Sequence, residues 1–453
     1  MITIDTIPPE VVVQIFLEFF SSNNNADVII SPHQGPLLIS QVSRNWRNVA
    51  LLYPQLWSSF SITITPSSRS QIIFMLKLWL KRSSLRLLSF TLILERFSLL
   101  NSELIQLSQS ILRALAAESR RWKRITMFLP GSQQLLRGLF TYGAPNLECV
   151  SFHLGNWKTN EIEDITNILR LAPSLKILAW SNRATQWTTF DAPFDSGLCS
   201  LHVSWDNLTD VDLDTWITWK TALGILRQCS KIITFNLRHF AYGPSDVETE
   251  EDCTPILLNH LSTLAIYQLE LDHNLVALFD KLTCPALRHF HFTGGFIKYF
   301  PWPQSSFLNF LVRSACHLIT LSLEYTDIKE DQLLQCLIQS SSSLSRLQVY
   351  SNAAGAICVG DKLLEQLHHR STAFDDCATL CPNLQTLVLH RNIQCAEGAL
   401  LAMLQSRMPT AIPQHRCTKC AVSMQHVNLQ IPKCCANSAD LISLRNLATV
   451  NLF

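Results

Sequence analysis

The chain has 453 residues and a formal net charge of +1, from 36 basic and 35 acidic side chains. Charged residues are 16% and hydrophobic ones 47% of the total, where an average soluble domain carries roughly 25% charged residues. That composition excludes a disordered polyelectrolyte, and the near-neutral balance gives no electrostatic reason for nucleic acid or an anionic membrane to be the partner. The length suits two to four ordinary domains, or one small domain joined to a long repeat array.

No basic residue precedes Arg44, so neither a secretory signal nor an arginine-bearing transit peptide is expected. The longest apolar runs, Val11–Phe20 and Ile72–Leu80, are broken by Gln14, Glu18 and Lys77, and a membrane span needs about 20 predominantly apolar residues. The expectation is an intracellular chain, in cytoplasm, nucleus or both, with its 15 cysteines as reduced thiols. In that setting Asn207-Leu208-Thr209 is no glycosylation signal.

Residues 1–60 read as a small helical domain. Ile7-Pro8-Pro9-Glu10 opens a helical run, with Asp5 or Thr6 placed to cap it and proline tolerated in the first turn. Val11, Val12, Ile15, Phe16 and Phe19 then form an apolar stripe. Ser21–Gly35 is a Ser/Asn-rich loop, and Leu37–Leu52 is a second helical segment carrying Leu38, Val42, Trp46, Val49 and Ala50, ended by Pro54. So few residues cannot bury that much apolar surface alone, and a partner is expected.

Residues 61–120 read as linking helices and a first degenerate repeat, and residues 121–453 as a repeat array. Ser102–Ala117, Asn160–Leu171 (Asn160 a plausible cap), Asp331–Ile338 and Asp361–His368 have helical period. Between such segments the pattern L-x-x-L-x-L recurs with apolar substitutes. Clear copies are Leu147/Val150/Phe152, Leu175/Leu178/Trp180, Leu198/Leu201/Val203, Ile232/Phe235/Leu237 and Leu261/Leu264/Ile266, then Leu287/Phe290/Phe292, Leu318/Leu321/Leu323, Leu344/Leu347/Val349 and Leu384/Leu387/Leu389. Weaker copies are Leu85/Leu88/Phe90, Trp122/Ile125/Met127, Met424/Val427/Leu429 and Leu447/Val450/Leu452. From residue 122 the first positions lie 25, 28, 23, 34, 29, 26, 31, 26, 40, 40 and 23 residues apart. The asparagine that would follow the third apolar position is present only as Asn352 and Asn392.

The array resembles irregular leucine-rich repeats, which implies a right-handed βα solenoid whose stacked coils share one core. The leucines would point inward and the alternate positions would line the strand face. His153, His202, Asn236, Arg238, Tyr267, His291, Glu324, Arg346, Tyr350 and His390 are the candidate residues there for holding a protein substrate. Asp246–Asp252, with five carboxylates beside Gly243-Pro244, reads as an exposed loop. Cys417-x-x-Cys420, Cys434 and Cys435 lie near His415 and His426, but the second pair is adjacent, which keeps both thiolates from one zinc ion; ordinary thiols are expected.

Ile7-Pro8-Pro9-Glu10-Val11-Val12-Val13-Gln14-Ile15-Phe16 resembles the opening of an F-box, and Val42-Ser43-Arg44-Asn45-Trp46-Arg47 resembles its second element. Pro54, Leu56, Trp57 and Ser58 are similar to a tail common in fungal F-box proteins. Ile7 stands for leucine, Ser43 for cysteine, and a 15-residue loop separates the halves. The resemblance implies an α/β chain in which a helical F-box precedes the solenoid. It further implies a substrate-recognition subunit of an SCF-type ubiquitin ligase. Ile7, Pro8, Val11, Val12, Ile15, Phe16, Leu38, Val42 and Trp46 would then form or support the face toward a Skp-type adaptor and, through it, a cullin–RING ligase. No cofactor and no catalytic residue is implied. The sequence also holds no phosphate loop, G-x-S-x-G elbow, H-E-x-x-H or G-x-G-x-x-G, and only 13 glycines. A non-catalytic binding scaffold, with the helical hairpin as a mere end cap, is the alternative.

Overall fold

Strands one residue out of phase with their own leucines would bury polar groups, so the apolar rows dictate how coils stack. The computed structural model describes residues 7–21, 28–95, 102–130, 142–154, 163–181, 198, 201–240, 254–267, 274–295, 302–350, 358–369, 379–390, 393–407, 423–430 and 450–452. It is mixed α/β, with parallel strands, and divides into two compact units, Met1–Thr215 and Trp216–Phe453.

The first unit opens with three helices, α1 (Pro9–Ser21), α2 (Gly35–Val42) and α3 (Arg44–Leu52). There follow β1 (Ser59–Ile64), α4 (Gln71–Arg82), β2 (Leu88–Leu94), α5 (Ser102–Ala116), β3 (Trp122–Phe128), β4 (Cys149–His153), α6 (Glu163–Arg170), β5 (Ile177–Ser181) and β6 (Asp210–Ile217). Strands β1 to β6 lie side by side in chain order, all parallel. Parallel neighbours need a long crossover, and the intervening segments supply it. Their register aligns Phe60, Phe90, Ile125, Val150, Leu178 and Val211 in one apolar row, with a second row two residues on from Ile62 to Leu213.

The second unit holds α7 (Trp219–Gln228), β7 (Thr234–Phe240), β8 (Ile256–Leu257), β9 (Thr263–Tyr267), α8 (Asn274–Lys281), β10 (Leu282–Thr283), β11 (His289–Thr293), α9 (Gln304–Ser314) and β12 (Thr320–Glu324). It continues with α10 (Glu330–Ser340), β13 (Arg346–Tyr350), α11 (Asp361–Leu367), β14 (Thr386–His390), α12 (Ala399–Arg407), β15 (His426–Gln430) and β16 (Val450–Leu452). The short β8 and β10 pair with each other; the others form a parallel ladder in chain order. Phe235, Leu264, Phe290, Leu321, Leu347, Leu387 and Val427 make one fully buried row. Beneath the strands, Phe279 of α8 meets Phe307 and Phe310 of α9 at 5.2 and 5.5 Å and Phe290 of β11 at 5.9 Å.

Arginines at helix ends join successive coils. Arg407, at the end of α12, is buried and donates to the carbonyls of Leu367 (2.6 Å), Leu380 (2.5 Å) and Cys381 (2.9 Å). Arg313, near the end of α9, donates to the carbonyls of Phe279, in the last turn of α8, and of Leu282, just beyond it. A cation set on the last carbonyls of a helix meets its negative dipole end.

Three readings of the repeat change. Leu85 is 89% exposed in the turn after α4, where Ser84 takes a positive φ, and the β2–β3 register shifts between Leu88 and Ser89, so Leu88 opens that strand's buried set. Leu198 and Leu201 are buried, yet residues 201–207 bond among themselves as turns, and the strand that ladders onto Lys176 is β6. Leu208/Val211/Leu213 is therefore the repeat copy, and His202 lies off the sheet, exposed. Third, Trp57/Phe60/Ile62 is an unrecognised first copy, all three buried, so strands begin before residue 61.

The helices at Ser102, Asp331 and Asp361 form as expected. Asn160, Asp246–Asp252, Asn352, Asn392, Leu447 and Cys417, Cys420, Cys434 and Cys435 lie outside the described residues. Among the described residues eight cysteines are free thiols, and burial pushes those of Cys284, Cys336 and Cys381 up to about 12. No helix among the described residues is long and apolar enough to cross a membrane.

Candidate functional site

Helix α1 is apolar on two sides. Pro9 opens it, and the Pro8 carbonyl accepts from the Val11 and Val12 amides at 3.0 and 3.1 Å. Val12, Val13 and Phe16 are buried, and the Phe16 ring meets Trp46 edge-on at 4.9 Å. The opposite positions, Val11, Ile15 and Phe19, recur every four residues and are exposed, Ile15 at 49% and Phe19 at 58%. Leu38 and Val42, four apart on α2, are exposed as well.

Local sequence explains the frame. Gly35 has φ +57° and sits so close to Val28 that a Cβ would lie 2.2 Å from the valine Cγ1, so only glycine admits this entry to α2. Ser43 caps α3 by accepting from the Trp46 amide at 3.1 Å. The Tyr53 hydroxyl donates to Glu10 Oε1 at 3.2 Å, tying the end of α3 to α1. The Trp57 indole donates to the Ala50 carbonyl at 2.7 Å and packs edge-on against Trp79 of α4 at 4.9 Å. The Ile30 amide donates to the Ser61 carbonyl at 2.9 Å and the Ser61 amide to the Val28 carbonyl at 2.8 Å, a short parallel bridge between Ile29 and Ser61 that covers the outer edge of β1.

Of the nine residues expected toward an adaptor, Pro8, Val11, Ile15, Leu38 and Val42 are exposed and Ile7 is half-buried. Val12 and Phe16 are interior, and Trp46 is half-buried against Phe16, so these three support the face rather than form it. Phe19 belongs to the face by its four-residue step from Ile15 and was not among those nine. Leu52, exposed at the end of α3, was likewise missed.

The strand face opposite the leucines gathers polar residues into cross-strand rows. In the second unit Arg238, Tyr267, Thr293, Glu324, Tyr350 and His390 share one row. Asn236, His291, Ser322 and Gln348 share the next, and His289, Thr320 and Arg346 the third. Arg238 lies over the Tyr267 ring at 5.4 Å, and Tyr350 stacks on His390 at 4.0 Å. Glu324 accepts from Gln348 Nε2 at 2.8 Å, Thr293 Oγ1 at 3.3 Å and Ser322 Oγ at 3.4 Å. Burial, then Arg288 and Arg346, hold His289 below its ordinary pKa; burial, then His289 and Arg346, do the same to His291.

The first unit's strand face differs. His153 stacks on Phe128 at 4.1 Å and shares a 3.0 Å hydrogen bond with Ser151. In place of the expected His202, β6 contributes Asp210, Asp212 and Asp214. Asp214 accepts from Ser181 Oγ at 3.0 Å, and Asp210 from Thr209 Oγ1 at 2.7 Å. The Asp-x-Asp-x-Asp alternation was the available signal for that strand. Among the described residues no group of three or more His, Cys, Asp or Glu could hold a metal ion. No protein-family model matches the chain, and no curated protein matches it.

Proposed function

We propose that this chain is a non-catalytic substrate-recognition subunit of an SCF-type ubiquitin ligase. In this reading residues near the N-terminus form an F-box that docks on a Skp-type adaptor. The strand array is a right-handed leucine-rich-repeat solenoid that holds a protein substrate. The chain supplies no chemistry; it raises the effective concentration of substrate beside the conjugating machinery and orients it.

The observation that carries the reading is the divided apolar character of α1. A helix that served only the interior would turn Val11, Ile15 and Phe19 inward with Val12, Val13 and Phe16; here the first three are exposed. Burying large apolar side chains such as Ile15 and Phe19 in a partner is worth about 1.5–3 kcal/mol each.

A second reading has its own support. The Ile29–Ser61 bridge covers the edge of β1 and Trp57 packs on Trp79, as a terminal cap of a repeat array would. The two readings separate on the open face. The full chain is mixed with a purified Skp-type adaptor, and capture is compared with Ile15→Asp/Phe19→Asp. Capture by the native chain and its loss in the folded double variant is the expected result. Absence of capture by the folded native chain leaves a capped scaffold and overturns the ligase reading.

A further inference from the structure

The near-neutral total charge conceals a local excess. Residues 28–94 hold seven basic side chains and no carboxylate, and residues 95–124 hold six basic against three acidic. Thirteen basic and three acidic groups leave this stretch a formal excess of ten, in a chain whose whole excess is one. Helix α4 and the turn after it concentrate the unpaired part. Lys77, Lys81 and Arg86 are exposed and Arg82 is half-buried, and among the described residues none of the four has an ion pair or a side-chain hydrogen bond. On the coil stacked against α4, Arg113, Arg120 and Arg124 are exposed as well. The three carboxylates are Glu95, beyond the opposite end of β2, Glu103, in the first turn of α5, and Glu118, paired with Arg121 at 2.9 Å.

Large apolar side chains stand among these charges. Phe74 is 69% and Leu85 is 89% exposed, and Leu87 is exposed too. Phe74, Lys77 and Lys81 recur at three- and four-residue steps and so share one face of α4; Leu85 follows in the turn beyond its end. That turn holds the leucine outward. Ser84 takes a φ of +49°, and the Arg86 amide donates to the Ser83 carbonyl at 3.0 Å. Arg121 of the next coil pins both ends, donating to Ser83 Oγ at 2.6 Å and to the Arg86 carbonyl at 3.0 Å. Cations beside exposed phenylalanine and leucine fit the surface of an anionic bilayer. The charges meet headgroups while the apolar side chains enter the acyl boundary, and long lysine stems let the ammonium groups stay in water. Nucleic acid would also draw the cations, but bases stack on aromatic rings and gain nothing from an aliphatic knob such as Leu85.

We propose that the exposed face of α4, with the Ser83–Leu87 turn, docks the chain on an anionic phospholipid surface, lying on the bilayer without crossing it. The inference goes beyond the ligase reading. It does not depend on the adaptor.

The test is co-sedimentation of the full chain with vesicles of phosphatidylcholine alone and of phosphatidylcholine with about 30% phosphatidylserine. Lys81→Gln/Arg86→Gln, Leu85→Ser and, as a matched loss of two charges in the second unit, Arg227→Gln/Arg288→Gln are run in parallel. All these positions are exposed, and thermal unfolding confirms that each variant is folded. The expected result is binding to the phosphatidylserine vesicles only, weakened about tenfold or more by Lys81→Gln/Arg86→Gln. Leu85→Ser weakens it about threefold or more, and Arg227→Gln/Arg288→Gln leaves it unchanged. Binding to neither vesicle, equal binding to both, or binding indifferent to Lys81→Gln/Arg86→Gln overturns the proposal. So does indifference to Leu85→Ser, which would reduce the contact to plain charge adsorption. A mixed-sequence single-stranded RNA is titrated beside the vesicles. A chain that takes the RNA through Lys81 and Arg86 and leaves the vesicles unbound overturns the proposal and assigns the patch to nucleic acid.

Discussion

The interior of the second unit and the N-terminal helices use similar residues under different rules. In the former, Phe279, Phe290, Phe307 and Phe310 are wholly buried, and even the guanidinium of Arg407 is enclosed by carbonyls. In the latter, α1 buries Val12 and Phe16 while Ile15 and Phe19 stay open. The difference teaches that apolar spacing means core where a neighbouring coil repeats it. Where no coil stacks, the same spacing divides into one face for the fold and one left exposed.

The interior is broken most severely by Phe279→Ala. This ring joins α8, α9 and β11, so its loss leaves a cavity that rigid strands cannot close. A loss of about 3–5 kcal/mol is expected in urea unfolding of the second unit. Arg407→Met comes next. It removes a charge whose burial has already lowered its pKa to about 10, which offsets part of the loss. Three buried carbonyls still go unpaired, and a net decrease of about 2–3 kcal/mol in the same measurement is expected. A loss under 0.5 kcal/mol, within the range of neutral surface changes, would show that the carbonyls find other donors.

Acid sharpens the contrast more gently. His291 titrates below its unfolded value of 6.5 because burial, His289 and Arg346 all oppose its proton. The unfolded chain therefore takes up protons first as pH falls, so stability decreases from 6.5 downward through the lowered folded value. His289 adds in the same direction. Urea midpoints for the second unit are expected to fall between about pH 7.5 and about pH 5.5, with a shallower slope in His291→Asn. An unchanged slope would place the pH dependence elsewhere.

How much of this was legible follows from what each feature depends on. The rows through Leu264, Phe290, Leu321 and Leu347 were legible because strand alternation and burial coincide, and each coil repeats its neighbour's pattern. Trp57/Phe60/Ile62 was hidden because Trp57 also belongs to the Pro54–Ser58 tail of the helical segment, which draws the first apolar position of the copy into that domain. The β6 strand was misplaced because Leu198 and Leu201 are truly buried; only the ladder from Lys176 selects Asp210 instead. Arg407 at a helix end reads as a solvated charge, since its three acceptors come from distant Leu367, Leu380 and Cys381. The stripe on α1 was legible, but its division into two faces was not. Which side turns inward is decided by Trp46 and by what α3 packs beneath it.

That division yields the smallest expected change in stability. Ile15→Asp/Phe19→Asp alters two exposed side chains, and surface changes of this kind stay within about 0.5 kcal/mol each. Val12→Asp, one helical step away, forces an unpaired carboxylate into the interior beside Phe16 and unfolds the hairpin. Measured together by thermal unfolding and by the fluorescence of Trp46 and Trp57, the two variants separate the faces of one helix. If the double variant unfolded as readily as Val12→Asp, Ile15 and Phe19 would be part of the fold's own support, and the open face would lose its claim to a partner.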